Sequence, residues 1–116
     1  MVYIKEAHAA DSDWPVPYAT EQSINQPTNY SERCVLAQKL VDEKQLTIPA
    51  IVESMANGVD EDYHAGSTRA FLVRKDGTLG VAGGRGPQGL SPAIQDIETW
   101  LEEYKRTGKE PGLPEA

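Results

Sequence analysis

Apolar residues in this chain occur in short blocks between polar, turn-forming segments, and the blocks predict strands and helices in alternation. Residues 1–6 begin with four consecutive apolar side chains, which is typical of a strand buried on both faces. Residues 48–52 are rich in β-branched side chains and predict a second buried strand. Residues 70–73 and 79–82 flank an Asp-Gly turn signal, so they predict an antiparallel hairpin.

Two helices are predicted from apolar residues that recur at helical spacing. The first runs from Ser31, which we expect as its N-cap, to about Lys44. The second is capped by Ser91 and has Pro92 in its first turn, and a short helix is expected at residues 60–64. The apolar positions are Cys34, Leu36, Ala37, Leu40 and Val41 in the first helix, and Ile94, Ile97, Trp100, Leu101 and Tyr104 in the second.

Three polar segments connect or follow these elements. Residues 9–31 form a long, turn-rich stretch, and loops of that length are usually functional or mobile. Residues 83–89 are glycine-rich, and residues 107–116 have the glycine and proline content of a disordered tail. The order strand, helix, strand, short helix, hairpin, helix predicts an α/β domain over residues 1–106, with a mixed sheet and flanking helices of the thioredoxin-like class.

Composition and charge restrict the functions that fit this domain. With 116 residues the chain is one domain at most, and its net charge of −7 argues against a nucleic-acid partner, which requires clustered Lys and Arg. No apolar run approaches the ~20 residues of a membrane span, so we expect a soluble, cytoplasmic chain. The single cysteine, Cys34, excludes an internal disulfide, a Cys-x-x-Cys pair and a cysteine-rich zinc site.

The strongest candidate chemistry lies at the end of the first strand. Glu6 and His8 are two residues apart, so on an extended chain they share one face at the strand's carboxyl end, where open α/β sheets place ligand sites. A carboxylate beside an imidazole favours the protonated ring and suits proton transfer near neutral pH. The alternative is a strand end with two solvated side chains. Tyr3 adds a phenolic donor, or is simply a core tyrosine.

The glycine-rich loop carries a second candidate, Arg85. A guanidinium held by such a loop can bind a carboxylate through two hydrogen bonds, whereas the alternative is a turn with an exposed arginine. The loop lacks the Gly-Lys-Ser/Thr ending of a phosphate-binding loop. Cys34 lies within an apolar helical stripe, where an inert buried thiol is the expected state.

No metal site is expected. Two loose groups of acidic residues and histidine are present, but neither has a recognised ligand spacing, so solvated loop side chains explain them better. The groups are His8, Asp11 and Asp13, and Asp60, Asp62 and His64.

Taken together, several segments resemble the iodothyronine deiodinase family, which has a thioredoxin-like fold related to peroxiredoxins. The block Tyr-Ile-x-Glu-Ala-His is the most specific of them, and the matches follow one another in order over nearly the whole chain. The matching segments are residues 2–11, residues 51–57, residues 63–69 leading into Phe71, residues 83–89, and the helix over residues 97–104.

The resemblance implies an oxidoreductase that removes iodine reductively from an aromatic ring. By position, Tyr3, Glu6 and His8 correspond to family residues associated with substrate hydroxyl contact and proton delivery, and Arg85 to one that holds the amino-acid end of a thyronine. The implied substrate is an iodinated or other halogenated aromatic, and the implied reductant is an external thiol with no further cofactor. A homodimer is an allowed assembly.

The sequence also departs from the family pattern. The family's nucleophile, a selenocysteine or cysteine that begins the helix after the preceding strand, has no counterpart here. Cys34 does not match it, Ile48 stands near a further family cysteine, and Thr68 replaces an acidic residue. We therefore expect the chain to be a C-terminal portion whose sheet lacks its central strand, so that the isolated chain is unstable or self-associates.

Two functional hypotheses follow. In the first, the chain supplies the proton-transfer and substrate-anion parts of a deiodinase-like enzyme, and an upstream segment supplies the nucleophile. In the second, the chain is a redox-inactive, thioredoxin-like binding module for a small carboxylate ligand or a protein partner. In-frame coding sequence upstream of Met1 would distinguish the two, since the enzyme requires a Cys codon or an in-frame TGA before a helix.

Overall fold

The computed structural model describes residues 1–66 and 68–112, which form two compact units, one comprising Met1–His64 and the other beginning at Ala65. Both combine helices with a small sheet, so the α/β class is confirmed. The first unit contains β1 (Val2–Tyr3), α1 (Pro17–Glu21), α2 (Tyr30–Lys44), β2 (Ile51–Val52) and α3 (Gly58–Tyr63). The second contains β3 (Phe71–Val73), β4 (Leu79–Ala82) and α4 (Leu90–Thr107).

The first unit is built on the predicted parallel pair. β1 and β2 run parallel, with Val2 opposite Ile51 and Tyr3 opposite Val52, and α2 packs against β2. Both strands are shorter than predicted, and they are not buried on both faces, since Ile51 is 64% exposed. β1 ends early because after Tyr3 the chain leaves the ladder and finds other hydrogen-bond partners.

The segment predicted as one long loop contains a short helix, α1, and is closed by backbone hydrogen bonds. The N–H of Ala10 donates to the carbonyl of Ile24 at 2.6 Å, and the N–H of Val16 donates to that of His8 at 3.2 Å. Ala9 and Ala19 are buried beneath these connections. The segment is therefore ordered by its own contacts, which sequence periodicity does not reveal.

The predicted apolar face of α2 is confirmed, with an unexpected member. Ala37 is buried as predicted, but the most buried side chain is Arg33, only 2% exposed. Its Nη1 donates to the carbonyls of Glu53 at 3.3 Å and Ser54 at 2.8 Å, at the end of β2. The charge is thus buried because backbone acceptors are available there.

The N-cap of α2 is Asn29, and the prediction of Ser31 was wrong. The Asn29 side chain accepts a hydrogen bond from the N–H of Glu32 at 2.9 Å, which satisfies one of the free amides of the first turn. The Glu32 carboxylate accepts in turn from the N–H of Thr28 at 2.7 Å. Ser31 lies inside the first turn.

Replacing Asn29 with alanine should therefore lower the free energy of unfolding by about 1 kcal/mol, the usual cost of losing an N-cap. Ser31→Ala is the matched control, and its effect should stay within about 0.5 kcal/mol because that side chain caps nothing. Thermal melting of both variants, followed by circular dichroism at 222 nm at equal concentration, measures the difference. Equal melting temperatures would contradict the assignment of the cap.

At the end of β2, a buried carboxylate organises the start of α3. Glu53 is only 5% exposed, and its two oxygens accept hydrogen bonds from the N–H groups of Val59 and Asp60, the latter at 3.0 Å. These are free amides of the first turn of α3, where negative charge is favourable. Asp60, also buried, pairs with Lys5 at 3.7 Å. The short helix predicted near residues 60–64 thus begins at Gly58 and depends on Glu53.

The second unit contains the predicted antiparallel hairpin. β3 pairs with β4, with a register irregularity at Leu72/Val73. The turn has Gly77 at φ +88°, and the Asp76 carboxylate accepts from the N–H of Thr78 at 2.9 Å. Among the described residues β1–β2 and β3–β4 are separate two-stranded sheets.

α4 packs against both strands of the hairpin. It begins after Gly89, which has no side chain to cap it, so the prediction of Ser91 as N-cap was wrong. After its left-handed end at Gly108, the chain continues to Pro111, whose carbonyl accepts from the Arg74 guanidinium at 3.3–3.4 Å. The predicted disordered tail extends to residues 113–116, which lie outside the described residues. No helix of the described part is long and apolar enough to cross a membrane.

Candidate active site

Tyr3, Glu6 and His8 lie on one segment of the first unit, at and just beyond the carboxyl end of β1. Tyr3 is the last residue of the strand and is half-buried, and its carbonyl accepts from the N–H of Glu53 at 2.9 Å. Glu6 is half-buried and His8 is exposed. The three residues therefore lie at or just beyond the end of a parallel strand, where open α/β sheets place ligand sites.

Glu6 is held in place by a side chain that the sequence did not single out, Gln26. The Glu6 N–H donates to Gln26 Oε1 at 2.9 Å, and Gln26 Nε2 donates to the Glu6 carbonyl at 2.7 Å. Burial raises the pKa of the Glu6 carboxyl above its ordinary value of 4.5. A carboxyl of this kind retains its proton to higher pH than a solvated glutamate.

His8 is oriented by Trp14. The imidazole Nδ1 is 2.9 Å from the Trp14 carbonyl oxygen, a distance that places a proton on Nδ1 and leaves Nε2 as the free nitrogen of the neutral ring. The two rings also meet edge to face, with centroids 6.0 Å apart. Trp14 is 77% exposed, so the His8 ring and a large aromatic surface are accessible together.

The expected contact between Glu6 and His8 is not formed. The chain bends at Ala7 and His8, so the alternation that would put the two side chains on one face ends before His8. Within residues 1–66 and 68–112 no ion pair joins these two groups. The His8 imidazole is oriented by the Trp14 carbonyl, and the pKa of the Glu6 carboxyl is raised by burial.

The raised pKa of Glu6 has a measurable effect on stability. Below pH 4.5 the Glu6 carboxyl is protonated in both the folded and the unfolded chain, and its contribution to stability is fully present. As the pH rises, the carboxyl of the unfolded chain ionises first. The stability contribution is therefore lost until the pH passes the pKa of the folded state. Glu6→Gln cannot ionise, so the unmodified chain should lose stability relative to this variant as the pH rises from 4 to 8. Urea unfolding of both proteins measures the difference between their free energies of unfolding. A difference that does not change with pH would contradict the raised pKa of Glu6.

Arg85 lies in the second unit, on the turn between β4 and α4. The loop is fixed by its backbone: the Gly86 N–H donates to the Thr68 carbonyl at 2.7 Å, and the Gly89 N–H donates to the Arg85 carbonyl at 3.0 Å. A Cβ on Gly89 would lie 2.3 Å from the carbonyl carbon of Gly84, so the turn closes only with glycine there. The Arg85 side chain is exposed, and its guanidinium bonds to none of the described residues.

Cys34 is half-buried, which corrects the expectation of a buried thiol. It lies one turn after Tyr30 on α2, and its proximity raises the pKa of the Tyr30 hydroxyl. In the part of the chain that the structure describes, no group of three or more acidic, histidine or cysteine side chains is arranged to hold a metal ion.

The sequence as a whole matches one protein family. The model of that family, described as iodothyronine deiodinase, matches residues 1–105 of the chain. The chain belongs to the iodothyronine deiodinase family. The suspected resemblance is thereby confirmed, and the α/β elements agree with the thioredoxin-like plan of the family.

Individual deiodinases are similar over most of this chain. Thyroxine 5-deiodinase of Gallus gallus is 33% identical over 112 residues, covering 97% of this chain, and that of Sus scrofa is 32% identical over 90% of it. Type II iodothyronine deiodinase of Aquarana catesbeiana is 28% identical over 88%. The chain spans 41%, 32% and 38% of the lengths of these relatives, respectively.

Sequence reasoning missed two groups that shape the region around the site, Gln26 and the pair formed by Arg33 and Glu53. Gln26 lies in a turn-rich stretch where nothing in the local pattern indicates a contact with Glu6, 20 residues earlier. Glu53 offered one signal, because it lies in the segment 51–57 that resembles the deiodinase family. The structure gives that segment a structural explanation, since Glu53 caps α3.

Proposed function

We propose that this chain carries the proton-transfer and substrate-anion parts of a deiodinase-like oxidoreductase that removes iodine reductively from an aromatic ring. The observation that carries the proposal is the half-buried Glu6, whose backbone is held by Gln26 just beyond the end of β1, on the same segment as an accessible His8. Membership in the deiodinase family supports the reaction class, and the names of two relatives, thyroxine 5-deiodinase, suggest an iodinated thyronine as substrate.

The reaction balances as a two-electron reduction. The carbon–iodine bond breaks, the ring carbon receives a proton, and iodine leaves as iodide, while two thiols of an external reductant become a disulfide. A thiol or selenol nucleophile accepts the iodine in between. We assign this role to no residue of the chain, because Cys34 lies within α2 and does not match the family nucleophile.

The roles of the chain's own residues follow from their surroundings. Glu6 and His8 supply and relay the proton, because the half-buried carboxyl retains a proton to higher pH and the exposed imidazole offers Nε2 to the substrate. Tyr3, half-buried at the strand end, contacts the substrate hydroxyl. Arg85, exposed on a rigid turn, binds the carboxylate of the substrate's amino-acid end through charge-assisted hydrogen bonds.

The test is thiol-dependent iodide release by the full-length product of the gene that encodes this chain. Two substrates are compared, an iodinated thyronine and an iodinated phenol without the amino-acid end. Arg85→Ala should raise the KM for the thyronine by about 10- to 100-fold, the value of a charge-assisted contact, and leave the phenol unaffected. Arg106→Ala, at the exposed end of α4, is the matched control.

The competing function is a redox-inactive binding module for a small carboxylate ligand or a protein partner. It predicts that the thyronine binds, with Arg85 contributing to affinity, but that no iodide is released at any thiol concentration. Equal effects of Arg85→Ala on both substrates would also contradict the proposed role of that residue, since only one of them carries a carboxylate.

A further inference from the structure

The side chain of Gln26 makes the two hydrogen bonds that a neighbouring strand would make. Its Oε1 accepts from the Glu6 N–H at 2.9 Å and its Nε2 donates to the Glu6 carbonyl at 2.7 Å. Only one orientation of the amide satisfies both, because the oxygen cannot donate and the nitrogen cannot accept. A single side chain thus pairs both polar groups of one backbone residue.

Glu6 needs such a partner because the ladder ends before it. β1 pairs with β2 only at Val2 and Tyr3, so the backbone of Glu6 has no strand opposite it in the described residues. A half-buried N–H or carbonyl left unpaired costs free energy comparable to a lost hydrogen bond. The amide side chain of Gln26 removes that cost.

The backbone of the turn that carries Gln26 is held by hydrogen bonds of its own. Its own N–H donates to the Asp11 carboxylate at 2.8 Å, and two residues earlier the Ile24 carbonyl accepts from the Ala10 N–H at 2.6 Å. The following residue, Pro27, is buried. The turn that carries Gln26 is therefore tied to the segment after Glu6 independently of the Gln26 side chain.

We propose that Gln26 is a positioning residue, which clamps the Glu6 backbone and so fixes where the Glu6 carboxyl is held. Gln26 has no part in the proton transfer proposed above. The inference rests on the proposed function only because that function gives the Glu6 carboxyl its chemical role. The other titratable groups of this region are engaged as follows. Lys5 pairs with Asp60, the Asp11 carboxylate accepts from the N–H of Gln26, and Nδ1 of His8 lies against the Trp14 carbonyl.

The experiment uses the same full-length gene product as the iodide assay and compares Gln26→Met, which keeps length and volume but has no amide, with the unmodified protein. Nuclear magnetic resonance reports the exchange rate of the Glu6 and Ala10 N–H groups and the titration of the Glu6 carboxyl carbon. The Glu6 N–H should exchange about five- to tenfold faster, as expected for one lost hydrogen bond, while Ala10 is unchanged. The pKa of Glu6 should fall toward its ordinary value of 4.5.

Gln22→Met is the matched control, because Gln22 lies in the same stretch and its Oε1 accepts from Lys39 instead. It should leave the exchange and the titration of Glu6 unchanged. In the unmodified chain, moreover, the Gln26 side-chain amide resonance should shift with the titration of Glu6, a measurement that requires no variant to fold.

Any of three results would overturn the proposal. The pKa of Glu6 could be unchanged in Gln26→Met, or the Ala10 N–H could exchange as much faster as the Glu6 N–H does. In the unmodified protein, the Gln26 amide resonance could stay constant while Glu6 titrates. None of these readouts involves iodide release. The clamp can therefore fail while the proposed function stands, and the proposed function can fail while the clamp stands.

Discussion

Replacing His8 with alanine is expected to lower the rate of thiol-dependent iodide release by about 10²- to 10⁴-fold, the range that a positioned acid–base group contributes. The imidazole is exposed, and its Nδ1 is engaged by the Trp14 carbonyl, so Nε2 is the nitrogen that remains for the substrate. The substitution removes that nitrogen, but because His8 is exposed it removes few packing contacts. The free energy of unfolding should therefore change by less than about 1 kcal/mol.

The other histidine of the chain provides the control. His64 lies at the end of α3 in the left-handed conformation, with φ +49°, so asparagine, which tolerates that conformation, is the suitable replacement. His64→Asn should leave iodide release unchanged. A similar loss in both variants would indicate a general effect on the fold, and full activity of His8→Ala would remove His8 from the mechanism.

Replacing Glu53 with alanine should have the largest effect on stability, lowering the free energy of unfolding by about 3 kcal/mol, because a buried and a partly buried N–H group lose a charged acceptor. The carboxylate is 5% exposed and accepts from the N–H groups of Val59 and Asp60 at the start of α3.

Two further variants separate these contributions in urea unfolding experiments. Glu53→Gln retains one acceptor oxygen but places an amide NH₂ against the second N–H, so about half of the loss is expected. Glu61→Ala, in the first turn of α3 but exposed, should cost less than about 0.5 kcal/mol. If Glu53→Ala and Glu61→Ala were equally stable, Glu53 would not hold α3 in place.

The parts of the fold that depend on neighbouring residues could be predicted from the sequence. The hairpin followed from an Asp-Gly turn between apolar runs, and β4 lies at residues 79–82 as predicted. The cap of α2 was misplaced by two residues because Asn29 and Ser31 are both good N-caps, and only the turn geometry selects between them.

The parts that depend on distant residues could not be predicted. An arginine on the inner face of α2 contradicts hydropathy, and it is explained only by the carbonyls of Glu53 and Ser54, about 20 residues away. The pairing of Gln26 with Glu6 is of the same kind. Glu6 and His8 were selected as candidates from their Glu-x-His spacing, but the shared strand face that this spacing predicts ends at the bend at residues 7–8.

An electron balance distinguishes a two-electron dehalogenation from binding of the substrate alone. The full-length product of the gene that encodes this chain is supplied with an iodinated thyronine and a known amount of thiol, and iodide and oxidised thiol are counted together. We expect one iodide to be released for every two thiols oxidised. Binding of the thyronine without iodide release, or thiol oxidation without iodide, would contradict it.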